Sequence, residues 1–151
     1  MSLEENKALV RRFNKEAFDD GDVSASERYL APDFLNHVSG KRGIEDMQRI
    51  IHYVRAAFSD GRVEVDQEIA EGDLVVQLIT STGTHTGDVA HTPWGSIAPT
   101  GRHVSWQSVR IYRIVDRKIA EHWAVRDDLG MLRQLGVLPQ AGPSAKEPRS
   151  Q

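Results

Sequence analysis

The sequence predicts an α+β fold, with N-terminal helices packed on a strongly curved, mostly antiparallel sheet that closes into a cone-like α+β barrel. Three observations carry this. Apolar residues recur at helical spacing in the first part of the chain, most clearly Ile44, Met47, Ile51, Val54 and Phe58. From Arg62 onward the pattern changes to β-branched and aromatic runs separated by turn residues. The last of those runs, Val104 to Val125 with Asp116-Arg117-Lys118 between two halves, reads as a hairpin of long strands.

Ser2 and Glu5 have the spacing of a capping box, so a helix starts there. Leu9, Val10, Phe13, Ala17 and Phe18 give it one apolar stripe to about Asp20, and Gly21-Asp22 stops it. Ser24 and Glu27 repeat the capping pattern for a short helix ending near Leu30, with Pro32 just beyond. Asp33 to His37 reads as a short link or strand, Ser39 to Gly43 as a loop, and Ile44 to Phe58 as the third helix. Arg62 to Ala70 alternates apolar residues with acids, a strand with one wet face; Glu71-Gly72-Asp73 turns the chain and Leu74 to Thr82 returns. His85 to Thr100, with Gly87, Pro93, Gly95 and Pro99, reads as a long irregular connection of the kind that borders functional sites. After the long hairpin a helix runs from about Asp127 to Leu135, capped by Asp127 or Asp128. Pro139 to Gln151 lacks any apolar period and reads as a loose tail, which leaves one domain over residues 1–138.

Side chains alternate faces along a strand, which puts Trp106, Ser108, Arg110 and Tyr112 on one side. On the returning strand Ala120, His122, Ala124 and Arg126 share a side, and Ile119, Glu121, Trp123 and Val125 share the other. Aromatic groups mixed with Ser, Arg and His on one face suit a partly apolar pocket with a few polar contacts.

Composition excludes several classes. The net charge is -3 and the basic residues form no stripe, so a nucleic-acid partner is not expected. There is no cysteine, which removes disulfides, thiol catalysis and thiolate metal sites. His85, His91, His103 and His122 show no paired ligand spacing, so no metal is expected, and no glycine-rich phosphate loop opens a helix. The acidic start lacks the basic and apolar segments of a signal peptide, and no apolar run approaches a membrane span; a cytoplasmic protein is expected.

The motifs GTHTG (Gly83 to Gly87), PTGR (Pro99 to Arg102), IVDRKIAEHW (Ile114 to Trp123) and GMLRQLG (Gly130 to Gly136), in this order of elements, resemble the SnoaL-like polyketide cyclases (ester cyclases) of the nuclear-transport-factor-2-like superfamily. The likeness runs from about Asn6 to Gly136. It implies the cone fold and an intramolecular aldol ring closure on an aromatic polyketide ester without metal or organic cofactor. It also implies an aspartate acid/base helped by an asparagine, a glutamine and a histidine. The family's asparagine, which follows Asp-aromatic-Leu, matches Asn36. The glutamine and histidine of the first long strand fall on Ser108 and Arg110. The aspartate lies two residues beyond a histidine; here the histidine is His122 and the aspartate position is Ala124. Alanine transfers no proton, so three readings stay open. Another group supplies the acid and base; the pocket runs other chemistry, such as the cofactor-free hydroxylation that the likeness also includes; or the protein only binds.

On this reading His122 carries the proton, unless it is a histidine satisfied by structural partners. Arg110 is a fixed cation for an enolate or phenolate oxygen, or else pairs with Glu121 or Asp127. Asn36 and Ser108 orient substrate by hydrogen bonds, Trp106 and Tyr112 form flat walls or core, Ala124 lines the site and Trp94 covers its mouth. The expected partner is an apolar multi-ring small molecule. Trp123 points away from His122, so the open sheet face is the expected homodimer contact.

Overall fold

The computed structural model describes residues 1–92 and 95–138, with backbone only for 90–92. Helix α1 (Leu3–Asn14) starts on the expected capping box: Glu5 N–H donates to Ser2 Oγ (3.1 Å) and Ser2 N–H to the Glu5 carboxylate (3.0 Å). It runs on as a single π-helical turn (Lys15–Asp19), which keeps Phe13, Ala17 and Phe18 buried. Helix α2 (Ala25–Tyr29) forms without the second capping box. Ser24 Oγ donates instead to Asp22 (2.6 Å), because Arg28 holds Asp22 and Glu16 beside it.

Strand β1 (Leu30–Asn36) resolves the stretch around Asp33 as a strand; β2 (Lys41–Arg42) pairs with its end, and α3 (Glu45–Ala57) follows. The remaining long strands are β3 (Arg62–Glu71), β4 (Leu74–Thr84), β7 (His103–Val115) and β8 (Lys118–Arg126). The six-stranded sheet has the order β2-β1-β8-β7-β4-β3, antiparallel except where β1 lies parallel to β8. That pairing sets Asn36 beside His122. Helix α4 (Asp128–Gln134) is capped by Asp127, whose Oδ1 accepts from Gly130 N–H (2.9 Å).

Two further expectations are corrected. The segment from His85 to Thr100 contains a small hairpin, β5 (Val89–Thr92) with β6 (Gly95–Ile97). Its ends, Val89 and Ile97, pack on an apolar cluster contributed by distant elements, a stabilisation that such short strands do not show in their own pattern. The second correction is Ile119. The β7–β8 turn has Asp116 and Arg117 at φ 49° and 62°, the left-handed pair of a tight hairpin. Just beyond it Ala120 is an extra residue on β8, so Ile119 faces inward opposite Ile114 rather than outward with Glu121, Trp123 and Val125.

The inner face holds two apolar clusters. One, under α1, α2 and α3, includes Val10, Phe13, Phe34, Ile51, Val75, Tyr112, Ile114 and Ile119. The other, under the end of α3 and α4, includes Ala57, Phe58, Val104 and Leu135, with Trp106 against it. Along β7 the inward residues between them are Ser108 and Arg110. A polar belt thus crosses the cone between two apolar regions.

Candidate functional site

His122 sits in that belt, opposite Tyr112 on β7 and beside Asn36 on β1, and is 7% exposed. Its Nδ1 lies 3.2 Å from Asn36 Oδ1. The orientation of the Asn36 amide follows from its other partners: Oδ1 accepts from Val38 N–H (3.1 Å), and Nδ2 donates to Asp46 Oδ2 (3.0 Å). An amide oxygen only accepts, so His122 carries its hydrogen on Nδ1 and its lone pair on Nε2. Burial, first, and then the charges of Arg110, Arg126 and His37 push the His122 pKa down to about 3, so the ring is neutral at pH 7. Phe34 stacks on it at 6.5 Å between centroids, and Tyr112 lies tilted at 5.1 Å.

Asp46, in the first turn of α3, anchors the chain. Besides Asn36 it accepts from Ser39 Oγ (2.6 Å) and Arg49 Nη2 (2.9 Å). Burial acts most strongly on its carboxyl and raises the pKa, yet the hydrogen bonds from Ser39, Asn36 and Arg49 together hold it below the usual value. In the sequence Asp46 reads as an ordinary acid of a helix first turn, and only the approach of β1 to α3 reveals it. A second polar chain was equally invisible: Tyr112 O–H donates to Asn14 Oδ1 (3.2 Å), Asn14 Nδ2 to Gln77 Oε1 (2.8 Å) and Gln77 Nε2 to Glu68 (2.6 Å), which pairs with Arg11.

The expected site residues divide as follows. Arg110 lies on the inner face with its guanidinium 5.1 Å from the Phe18 ring centre, opposite Ala124 and next to Gln77. Neither expected carboxylate pairs with it: Glu121 is on the outer face with His37 and Arg113, and Asp127 caps α4. Ser108 is 3% exposed, and its Oγ has no partner among the described residues. Asn36 is buried with its amide held by protein groups rather than turned to open space. Tyr112 is part of the apolar cluster under α1, α2 and α3, and Trp106 packs on Phe58 at 5.1 Å. Trp94 lies outside the described residues, as does the expected tail at 139–151.

Trp123 faces outward and stacks on His37 at 4.3 Å. It lines a depression of about 180 Å³ with His37, Val38, Val109, Ile111, Ala124 and Val125. Another, of about 540 Å³, lies at the sheet edge by Asp33, Arg42 and Lys118. Among the described residues no group of three or more His, Asp or Glu could hold a metal ion, and no helix is long and apolar enough to cross a membrane.

The family profile described as SnoaL-like polyketide cyclase matches residues 8–135. Nogalonic acid methyl ester cyclase of Streptomyces nogalater is 34% identical over 125 residues, 80% of this chain and 90% of that protein. Aklanonic acid methyl ester cyclase DnrD of Streptomyces peucetius is 30% identical over 131 residues, 86% of this chain and 87% of that one. Among solved structures, AclR of Streptomyces galilaeus, a hydroxylase candidate, superposes with a TM-score of 0.82 at 31% identity, covering 99% of this chain and 92% of that one. The profile reaches from within α1 to the end of α4, taking in Asn36, Ser108, Arg110 and His122, and the chain therefore belongs to the SnoaL-like polyketide cyclase family.

Proposed function

We propose that this protein closes a ring by an intramolecular aldol reaction on an aromatic polyketide or related carbonyl compound with apolar rings, using no cofactor. The observation that carries this is the Asp46–Asn36–His122 chain, which holds a neutral imidazole whose Nε2 lone pair has no partner among the described residues, two residues along β8 from Ala124, the residue facing Arg110. His122 Nε2 takes a proton from the carbon between two carbonyls, and the enolate charge develops beside Arg110. The enolate carbon attacks the second carbonyl; a carbon–carbon bond forms and the carbonyl electron pair becomes an alkoxide. The buried imidazolium then returns its proton to that alkoxide. One histidine serves in both directions, so an aspartate at Ala124 is not required. Asn36 positions His122, and Ser108 and Arg110 orient the substrate.

The protein acts in the cytoplasm as a homodimer through the outer sheet face, a reading supported by the exposed Val109, Val125 and Ile69 there. The test is incubation with tricyclic polyketides bearing a keto-ester or keto-acid arm, followed by chromatography and mass spectrometry. An isomeric product is expected, with kcat reduced about a hundredfold or more in His122→Ala. Full activity in that variant would remove the assignment. The likeness to AclR favours a second reading, hydroxylation, whose product would be heavier by one oxygen atom.

A further inference from the structure

We infer that Arg110 and Ser108 form an anion subsite, so that the substrate of this protein carries a carboxylate on its apolar ring system instead of presenting only neutral ester and ketone groups. This deepens the reading of the inner face as the active site and rests on it.

Four observations converge. First, Arg110 is a half-buried cation with no carboxylate in ion-pair range among the described residues; its guanidinium rests over the Phe18 ring. Second, the buried acids of the inner face and the acids flanking Phe18 are engaged elsewhere: Glu16 by Arg28 and Tyr29, and Asp19 by the Val63 N–H. Glu68 is held by Arg11 and Gln77, and Asp46 by Asn36, Ser39 and Arg49. Third, Ser108 is two residues along the same face of β7, and its buried Oγ lacks any partner among the described residues. A buried hydroxyl without a partner costs free energy that a ligand oxygen would recover. Fourth, the strand position opposite Arg110 is Ala124, whose single methyl supplies no carboxylate or other polar partner for the guanidinium.

A guanidinium presents five N–H donors, and a carboxylate takes two of them in a forked pair. Ser108 O–H supplies a further donor to the same group. The remaining N–H groups of Arg110 stay available to the oxygen on which enolate charge develops. The groups that act electrostatically on His122 are Arg110, Arg126 and His37, all cationic or able to become so. An anion bound at Arg110 offsets that field, and substrate binding would make His122 a stronger base at the moment it is needed.

The experiment is calorimetric titration of the full-length protein with anthraquinone-2-carboxylate and with its methyl ester at neutral pH. The carboxylate should bind at least about tenfold more tightly than the ester, the worth of one charge-assisted pair in a water-poor site. Arg110→Met should bring the two within about twofold, Arg110→Lys should retain only part of the preference because an ammonium keeps the charge and loses the fork, and Ser108→Ala should weaken the carboxylate alone. The His122 NMR titration should move to higher pH with the carboxylate and not with the ester. Equal binding by the wild type, no binding of either probe, or a preference that survives Arg110→Met overturns the subsite. The cyclase reading fails separately: the preference should persist in His122→Ala, and full turnover in that variant with the preference intact removes the cyclase assignment and leaves the subsite standing.

Discussion

Burial of His122 makes the fold acid-sensitive by an amount that can be worked out. In the unfolded chain the imidazole has its ordinary pKa near 6.5, and in the folded protein it is pushed down to about 3. Between these values the unfolded state binds a proton that the folded state refuses, so stability rises with pH across this window and falls as the medium is acidified. Each pH unit is worth about 1.4 kcal/mol. From about pH 7.5, where His122 is neutral in both states, to about pH 5, the loss is about 2 kcal/mol. The perturbation is His122→Asn, which can still donate to Asn36 Oδ1 from near the Nδ1 position. The assay is urea unfolding of both proteins at the two pH values. The other five of the six histidines are common to both proteins and drop out of the comparison. The wild type should lose about 2 kcal/mol more than His122→Asn on acidification. Parallel losses, within about 0.5 kcal/mol, would show that the folded protein accepts the proton and would refute both the neutral imidazole and the mechanism built on it.

Three further outcomes are expected. Asp46→Asn should lower stability by about 1–2 kcal/mol near neutral pH, from weakened bonds to Asn36, Ser39 and Arg49. Because the folded Asp46 pKa is lowered, its contribution is present above the usual carboxylate value and lost as pH falls through the folded value; the variant should lack that acid loss, and nitrogen chemical shifts should report His122 leaving its Nδ1–H tautomer. Gly87→Ala should cost more than about 2 kcal/mol by thermal unfolding, because the added Cβ would collide with the Ala56 carbonyl of α3, a backbone atom that cannot step aside. Val125→Glu, at a position 77% exposed on the outer sheet face, should shift the proposed dimer to monomer in light scattering, and an unchanged mass would remove that interface.

The helices and long strands were legible because their signals are local. The stripe from Leu9 to Phe18, the spacing from Ile44 to Phe58 and the alternation from Trp106 to Tyr112 each repeat within a few residues, and each element buries the face its period marks. The outward placement of Trp123 and Glu121, against the inward His122, followed from the same period. Where one residue breaks the period, that reading fails: the extra Ala120 turns Ile119 inward, and nothing in a strand's own sequence announces a bulge.

The sequence by itself determined which residues share the inner face on which the proposed site rests: Arg110, Ser108 and His122, with no acid at position 124. Tertiary structure alone decided what they can do. His122 meets Asn36 across 86 residues of chain, and Asn36 meets Asp46 across a loop into another element. Those contacts assign the proton to Nδ1, and burial keeps the ring neutral. The physical reason is that periodicity reports only which side of an element faces inward, whereas tautomer, protonation and pairing depend on the neighbour that a different element brings there.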